Sequence, residues 1–443
     1  MQAIYGWHAL IFSSMKRVLI ITYYWPPSAG SGVQRWLKFS KFLPEFGWQP
    51  VIFTPENPDF ALTDPSLSKE VTASTEVLKF PIWEPYHLLR RLKRDTLADP
   101  ARILEQKEPS LLDRLAVWFR GNALIPDPRI FWVKPSVSFL ESIWQQNHFD
   151  AIITTGPPHS MHLIGRNLKR KTGTPWLADF RDPWSAWEFL DTLKLTAMAR
   201  KKHRKLEASV FREADALMTI SPTFASEMKE LADRKIHVIT NGFDTDDMPP
   251  HFNRSQPGSD PIQIVYSGVI DGIRNPSPFL QALKEVFGKE QGKVRLTFVG
   301  RVSQQVEELI RHDDWLEKHV ELTGYLSHSE VFAYYEKAHA LLLILTNTKN
   351  ARGNIPGKLF EYMATGRQII GLGDPEGDAA QIIGKAGAGR VFAHEDINGL
   401  SQQLSELSTF SNSNETGQQL QPFHRRHLTG QLAGLLQEMG DNL

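Results

Sequence analysis

Short apolar runs alternate with amphipathic stretches along most of the chain, and this alternation restricts the fold more than any other feature of the sequence. In the first half the runs fall at residues 18–22, 51–54, 151–155, 176–179 and 216–220. In the second they fall at residues 262–267, 295–299, 341–345 and 368–371. Buried strands separated by helix-period segments are the pattern of parallel sheets with crossover helices. Each half supplies its own set of such units, which predicts an α/β protein of two doubly wound, Rossmann-like domains. A length of 443 residues points the same way, being too great for one comfortable core.

Between the halves, the stretch from Met248-Pro249-Pro250-His251 to Asp260-Pro261 is polar and broken by Pro and Gly, as a linker should be. The expected organisation is an N-terminal domain over residues 15–250, a C-terminal domain over 251–425 and a C-terminal helix over 426–443. Residues 4–12 are apolar, but no basic residue precedes them and no small-residue cleavage pattern follows. They read as neither signal nor span, so residues 1–14 are an extension ahead of a more natural start at Met15. Residues 84–135 read as a helical insertion with Pro at both ends, and residues 408–422 as a polar surface loop.

Composition excludes several classes of function. Lys+Arg and Asp+Glu are both 50, so no global field favours nucleic acid as a partner. The absence of Cys removes disulfides, thiolate metal sites and Cys nucleophiles, and fits a reducing cytoplasm. No run reaches the roughly 18 apolar residues of a membrane span.

Three segments carry candidate chemistry. The first is Ser28-Ala29-Gly30-Ser31-Gly32-Val33-Gln34-Arg35, a Gly-rich turn opening a helix. Backbone N–H groups of Gly30 and Gly32 could approach a phosphate there, or the glycines could serve the turn alone. The dinucleotide fingerprint is absent, because Arg35 stands where the third Gly would fall, and a dehydrogenase is disfavoured. The second segment pairs Gly156-Pro157-Pro158-His159 with Asp179-Phe180-Arg181-Asp182, two runs that leave strand ends. Carboxyl ends of strands face the ligand crevice in this fold, so His159, Arg181 and Asp182 are candidate catalytic residues, with an Arg–Asp pair pinning the loop as the bland alternative. The basic run Arg200-Lys201-Lys202-His203-Arg204-Lys205 is either a solvated helix face or a contact for an anionic membrane surface.

The third segment, Asn350-Ala351-Arg352-Gly353-Asn354-Ile355-Pro356-Gly357-Lys358-Leu359-Phe360-Glu361-Tyr362, is the most informative. It reads as a loop and a helix start after a buried strand. Amides at Gly357, Lys358 and Leu359, with the Lys358 ammonium, can hold a diphosphate. Glu361, one turn later, can accept both hydroxyls of a ribose.

With Ala364-Thr365-Gly366-Arg367-Gln368 following, this segment resembles the retaining GT-B glycosyltransferases known as family 4. Glu361 matches the second Glu of the family's Glu-x7-Glu element, whereas Gly353 stands where the first is expected. Ser267-Gly268-Val269-Ile270-Asp271-Gly272-Ile273-Arg274 resembles the phosphate-gripping Gly-Arg-x4-Lys loop, with Arg274 for the Lys and Val269 for the Arg. Residues 320–331, containing Tyr325, resemble the strand and turn beside the nucleobase. Ser221-Pro222 and Asn241-Gly242-Phe243-Asp244 resemble family turns near the hinge.

The resemblance implies the GT-B architecture, two Rossmann-like domains facing across a cleft, with the C-terminal helix returning to the N-terminal domain. It implies a cytoplasmic enzyme that moves a sugar from a UDP- or GDP-sugar donor to a glycan or polyprenyl-linked acceptor, with retention, in cell-envelope polysaccharide synthesis. No cofactor or metal is expected; Arg274 and Lys358 would stabilise the leaving diphosphate. Peripheral contact with the inner membrane surface is a further expectation. Two rivals share the architecture: a sugar-nucleotide epimerase, and a catalytically silent binding module suggested by Gly353 and Val269.

Overall fold

The computed structural model describes residues 15–60, 62–85, 111–255, 258, 261–289, 292–407 and 419–441. The N-terminal extension, residues 86–110 of the expected insertion and residues 408–418 of the expected surface loop lie outside the described residues. The chain divides into two compact units. One takes the chain up to Thr240 and again from Arg425 onward, and the other is Asn241–His424.

The first unit carries β1 (Lys16–Ile21), β2 (Trp48–Pro55), β3 (Glu76–Phe80), β4 (Ala151–Gly156), β5 (Trp176–Phe180), β6 (Ala216–Thr219) and β7 (Ile236–Val238). All pair in parallel in the order β3-β2-β1-β4-β5-β6-β7. Its helices are α1 (Ser31–Phe42), α2 (Leu111–Ala123), α3 (Ile130–Ile143), α4 (Ser160–Thr172), α5 (Ala197–Glu213) and α6 (Pro222–Ala232). The second unit carries β8 (Ile262–Ser267), β9 (Val294–Val299), β10 (Val320–Gly324), β11 (Ala340–Ile344), β12 (Gln368–Leu372) and β13 (Gly389–Phe392), parallel in the order β10-β9-β8-β11-β12-β13. Its helices are α7 (Ser277–Phe287), α8 (Gln304–Arg311), α9 (Asp314–His319), α10 (His328–Lys337), α11 (Lys358–Thr365), α12 (Asp378–Lys385) and α13 (Ile397–Glu406). Both sheets are doubly wound, and together they form the two-domain GT-B architecture.

Strand residues alternate between two cores, which is why the interior strands read as continuous apolar runs. Leu19, Ile21, Val51, Phe53 and Ile152 enter one core of the first unit, while Val18, Ile20, Ile52 and Ile153 enter the other. The same division separates Ile264, Leu296, Leu342 and Ile370 from Val265, Val299, Leu341 and Ile369.

The last helix, α14 (Arg425–Asp441), belongs to the first unit. Its Leu428, Leu432, Leu435, Leu436 and Met439 join Val33, Trp36, Leu37 and Phe39 of α1 in one buried cluster. Lys16 Nζ donates to Gln437 Oε1 at 2.8 Å, and Arg426 pairs with Glu45 at 2.5 Å.

The units part at residues 240 and 241, ahead of the Pro-rich stretch that marks the linker in the sequence. The reason is that residues 243–255 are bound to the second unit. Phe243 N–H donates to Phe423 O, and the buried Arg367 guanidinium donates to the carbonyls of Asn253 and Ser255 at 2.8 and 2.6 Å. Among the described residues no helix is long and apolar enough to cross a membrane.

Candidate functional site

In an open α/β sheet, ligands bind off the strand carboxyl ends where the strand order reverses. The reversals lie between β1 and β4 in the first unit and between β8 and β11 in the second.

In the second unit, the loops that follow β8 and β11 meet where Asn347 N–H donates to Ile273 O at 3.4 Å. Lys358 is the first residue of α11. Its ammonium donates to Ser267 O at 2.6 Å and stands 4.0 Å over the Tyr266 ring. Gly268 makes that seat possible: its φ is 124°, and a Cβ there would come within 2.6 Å of Lys358 Nζ. Behind it, a Cβ on Gly300 would lie 2.2 Å from Gly268 O, and Gly300 N–H donates to Gly324 O at 2.8 Å. Glycines thus crowd together at the carboxyl ends of β8, β9 and β10.

Arg274 is partly exposed and pairs with Asp271 at 2.6 Å. Burial lowers the Lys358 ammonium to about 7, and the Arg274 guanidinium pushes the same way, while Glu361 and Asp271 oppose them. These four charged side chains therefore act on one neighbourhood. Lys358, Arg274 and Glu361 are thus close enough for their charges to act on one another.

The floor of the neighbourhood is neutral and hydrogen-bonded. Ser267 Oγ lies 2.6 Å from Tyr335 OH and 3.2 Å from Tyr362 OH, and Ser267 N–H donates to Tyr362 OH at 2.9 Å. Burial raises all three nearby phenols, Tyr335, Tyr266 and Tyr362, the last to about 12. Gly357 precedes α11, and the Leu359 N–H donates to Pro356 O at 3.1 Å while its side chain is fully buried. Tyr325 stands apart, 80% exposed just past β10, two strands away from β8. Gly353 is buried in a single 3-10 turn, and neighbouring Asn354 Nδ2 donates to Thr346 Oγ1 at 3.3 Å. Val269 is 44% exposed.

In the first unit, Gly30 has φ 95° and leads into α1. Gly32 faces the Arg181 guanidinium, which a Cβ would meet at 3.0 Å. Arg181 lies 5.9 Å over the Tyr24 ring, donates through Nε to Gly156 O at 3.3 Å, and binds Pro157 O through Nη2. Gly32 and Arg181 are thus neighbours. Asp182 is partly exposed; burial raises its carboxyl, Arg181 lowers it and Asp179 raises it further.

His159 is placed differently. It is 5% exposed and stacks on Trp184 at 4.8 Å with the rings 1° from parallel. Neither ring nitrogen has a hydrogen-bond partner, and burial first, then His162, His203 and Arg181, hold it well below the usual imidazole range. It is a neutral, packed ring between the strand end and Trp184. His162 beside it bonds Thr154 Oγ1 at 2.9 Å and is lowered to about 3 by burial and Arg181.

A profile described as "Glycosyl transferase 4-like domain" matches residues 30–242, and one described as "Glycosyl transferases group 1" matches residues 261–409. Together they take in both units. The chain belongs to the group 1, GT4-like glycosyltransferases. It is thereby a transferase enzyme of sugar transfer.

No curated protein matches the sequence. Solved structures resemble the glycosyltransferase over nearly its whole length at low identity. Sucrose-phosphate synthase from Thermosynechococcus elongatus is 14% identical with a TM-score of 0.63, covering 97% of this chain and 100% of that one. HepE of Anabaena in complex with UDP is 13% identical with a TM-score of 0.59, covering 96% and 100%. The lipopolysaccharide outer core galactosyltransferase WaaB is 13% identical with a TM-score of 0.56, again covering 96% and 100%.

Sequence reasoning missed the support beneath both loops of the glycosyltransferase. Tyr266 and Tyr335 lie outside the motifs, and Ser267 and Tyr362 stand in them without an assigned role, but Gly268, Gly300 and Gly324 at successive strand ends signal that backbone crowds there. In the first unit Asp179 is the hub. It pairs with Arg35 at 3.0 Å and accepts from Trp36 Nε1 at 2.9 Å and Thr155 Oγ1 at 3.0 Å, so it ties α1 to β4 and β5. A second buried network joins Tyr23 OH, Glu84 and Arg129, with Arg129 Nε 2.9 Å from Glu84 Oε1.

Proposed function

We propose that this glycosyltransferase moves a sugar from a nucleotide-sugar donor to a glycan or lipid-linked acceptor, with retention of anomeric configuration. The observation that carries the reading is Lys358, seated on Ser267 O at the strand reversal within the fields of Arg274, Glu361 and Asp271. HepE, a structural neighbour of the same fold, was solved with UDP, and with UDP and glucose. That supports a uridine nucleotide over the guanosine alternative.

In this reading the Gly357 and Lys358 amides at the start of α11 and the Lys358 ammonium hold the diphosphate, while the Leu359 N–H stays on Pro356 O; Arg274 adds the second cation, and Glu361 accepts the ribose hydroxyls. As the bond from the anomeric carbon to the phosphate oxygen breaks, negative charge gathers on the diphosphate, and the two cations stabilise it without a divalent metal. The acceptor oxygen bonds to the anomeric carbon on the same face, and its proton passes to the leaving phosphate oxygen. Asp182 and Arg181 in the first unit orient sugar or acceptor. His159, packed and neutral, serves by shape. A lipid-linked acceptor would bring the enzyme to the cytoplasmic face of a membrane, and cell-envelope polysaccharide synthesis is the setting the reading favours.

The test is a thermal-shift panel of UDP, GDP, ADP and CMP sugars, followed by transfer of a labelled donor to acceptor. A donor should raise the melting temperature by mass action. Lys358→Ala and Glu361→Ala should each abolish that rise. Persistence of the shift in both variants would overturn the placement, and isomerised sugar without transfer would favour an epimerase.

A further inference from the structure

The described residues of the first unit carry an apolar stripe joined to a basic one. On α2, Leu115, Trp118 and Phe119 are 62%, 45% and 53% exposed, and their spacing puts them on one face. Asn122 continues that stripe by one turn. Its Nδ2 donates to Trp118 O at 2.9 Å and Lys194 O at 3.3 Å, and its Oδ1 accepts from Thr196 N–H at 2.8 Å. Thr196 caps α5, so the apolar stripe runs directly into the first turn of the basic helix.

Met198, 82% exposed, stands at that junction. Beyond it Lys201, Lys202, Arg204 and Lys205 are all exposed. Lys201, Lys202 and Lys205 form no ion pair among the described residues. Two acidic groups beside α5 are engaged with other partners: Asp191 pairs with Arg200 at 2.9 Å, and the buried Glu207 accepts from Ser185 N–H. Large apolar side chains gathered on the surface mark a contact site. Trp and Phe beside unpaired lysines suit the headgroup boundary of an anionic bilayer, where the rings enter and the ammonium groups meet phosphate.

We propose that α2 and the exposed face of α5 form a bilayer-docking surface, with Leu115, Trp118 and Phe119 inserting and Lys201 and Lys205 reading anionic headgroups. The proposal rests on the peripheral-contact part of the reading above and names the residues that make the contact.

The experiment is flotation of the full chain with vesicles of phosphatidylcholine alone and of phosphatidylcholine mixed with phosphatidylglycerol. The chain should float with the mixed vesicles only, and high salt should release it. Lys201→Glu/Lys205→Glu and Trp118→Ser/Phe119→Ser should each lower binding by about tenfold or more. Both double variants should keep the parent melting temperature and the donor-induced shift. Unchanged flotation of either variant overturns the proposal, as does equal binding to both vesicle types. A dimer that Trp118→Ser/Phe119→Ser abolishes, with no flotation of the parent, assigns the surface to a second copy and also overturns it. Because the donor-induced shift reads the nucleotide site alone, its absence in the parent would defeat the nucleotide-sugar reading and leave the flotation result standing.

Discussion

Replacing Asp179 by Asn should destabilise the first unit by about 3–5 kcal/mol, the cost of removing one partner of a buried ion pair. The carboxylate is fully buried, and Arg35 is 1% exposed. Oδ1 accepts from Arg35 Nη2 at 3.0 Å, while Oδ2 accepts from Arg35 Nε at 3.1 Å, Trp36 Nε1 at 2.9 Å and Thr155 Oγ1 at 3.0 Å. An amide of the same shape keeps one acceptor and turns the other corner into a donor. Either orientation then sets donor against donor. The larger cost is charge, because the Arg35 bond to Thr240 O at 3.1 Å supplies no opposing charge. At about 2–4 °C per kcal/mol for a unit of this size, the melting temperature should fall by roughly 10 °C. Circular dichroism melts and urea titration measure it. Glu213→Gln, which loosens the exposed pair with Arg170, should cost under about 1 kcal/mol and serves as the control. A Asp179→Asn protein within about 1 kcal/mol of the parent would show that the hub carries no such load.

Gly268→Ala should displace the Lys358 ammonium and strain a backbone at φ 124°, at about 1–3 kcal/mol, and it should abolish the donor-induced shift. Gly366→Ala, at φ 72° with open space around it, is the comparison: strain without loss of the shift, read in the same assay. Lys358 titrates near 7 and is protonated below that value, so donor affinity should weaken by up to about tenfold per pH unit above it; a flat calorimetric profile would contradict the assignment. The depressed His162, titrating near 3, binds no proton in the folded state across a range where the unfolded chain does. Its contribution to stability is therefore present above the ordinary imidazole value and declines as pH falls toward 3, by at most about 1.4 kcal/mol per unit. Melts from neutral to acidic pH should show this slope, and His162→Gln should reduce it.

The strands legible in the sequence are the interior ones, and the reason is physical. β1, β2, β4, β5 and β6 in one sheet and β8, β9, β11 and β12 in the other are covered on both faces, so each reads as an apolar run. The strands that escape notice as apolar runs are the edges of the two sheets: β3, β7, β10 and β13. Most of their residues are only partly buried, as in Glu76–Phe80 and Ile236–Val238, so no periodic signal rises above the loops beside them. The second unit's charged cluster was legible because Lys358 and Glu361 lie one turn apart in a helix start. Its tyrosine floor was not, since Tyr335 comes from a distant helix and meets Ser267 only after folding.

Arg35 shows how a departure from a motif can be explained only by its partner. A third glycine at this position would let a helix pack closely against its strand. Here the helix instead carries a buried guanidinium toward a strand-end carboxylate 144 residues later in the chain. The aspartate that binds it also holds Trp36 of the same helix and Thr155 of the neighbouring strand, so the geometry of the Gly-rich turn is set from the sheet side. Gly32 remains small for a separate reason, the Arg181 guanidinium that lies against it. The Gly-rich turn ahead of α1 is therefore built around two arginines. One, Arg35, is fully committed to structure, and the other, Arg181, is held by backbone carbonyls at the strand end, so a charge-conserving Arg35→Lys change should perturb folding while Arg181→Lys should act on turnover first.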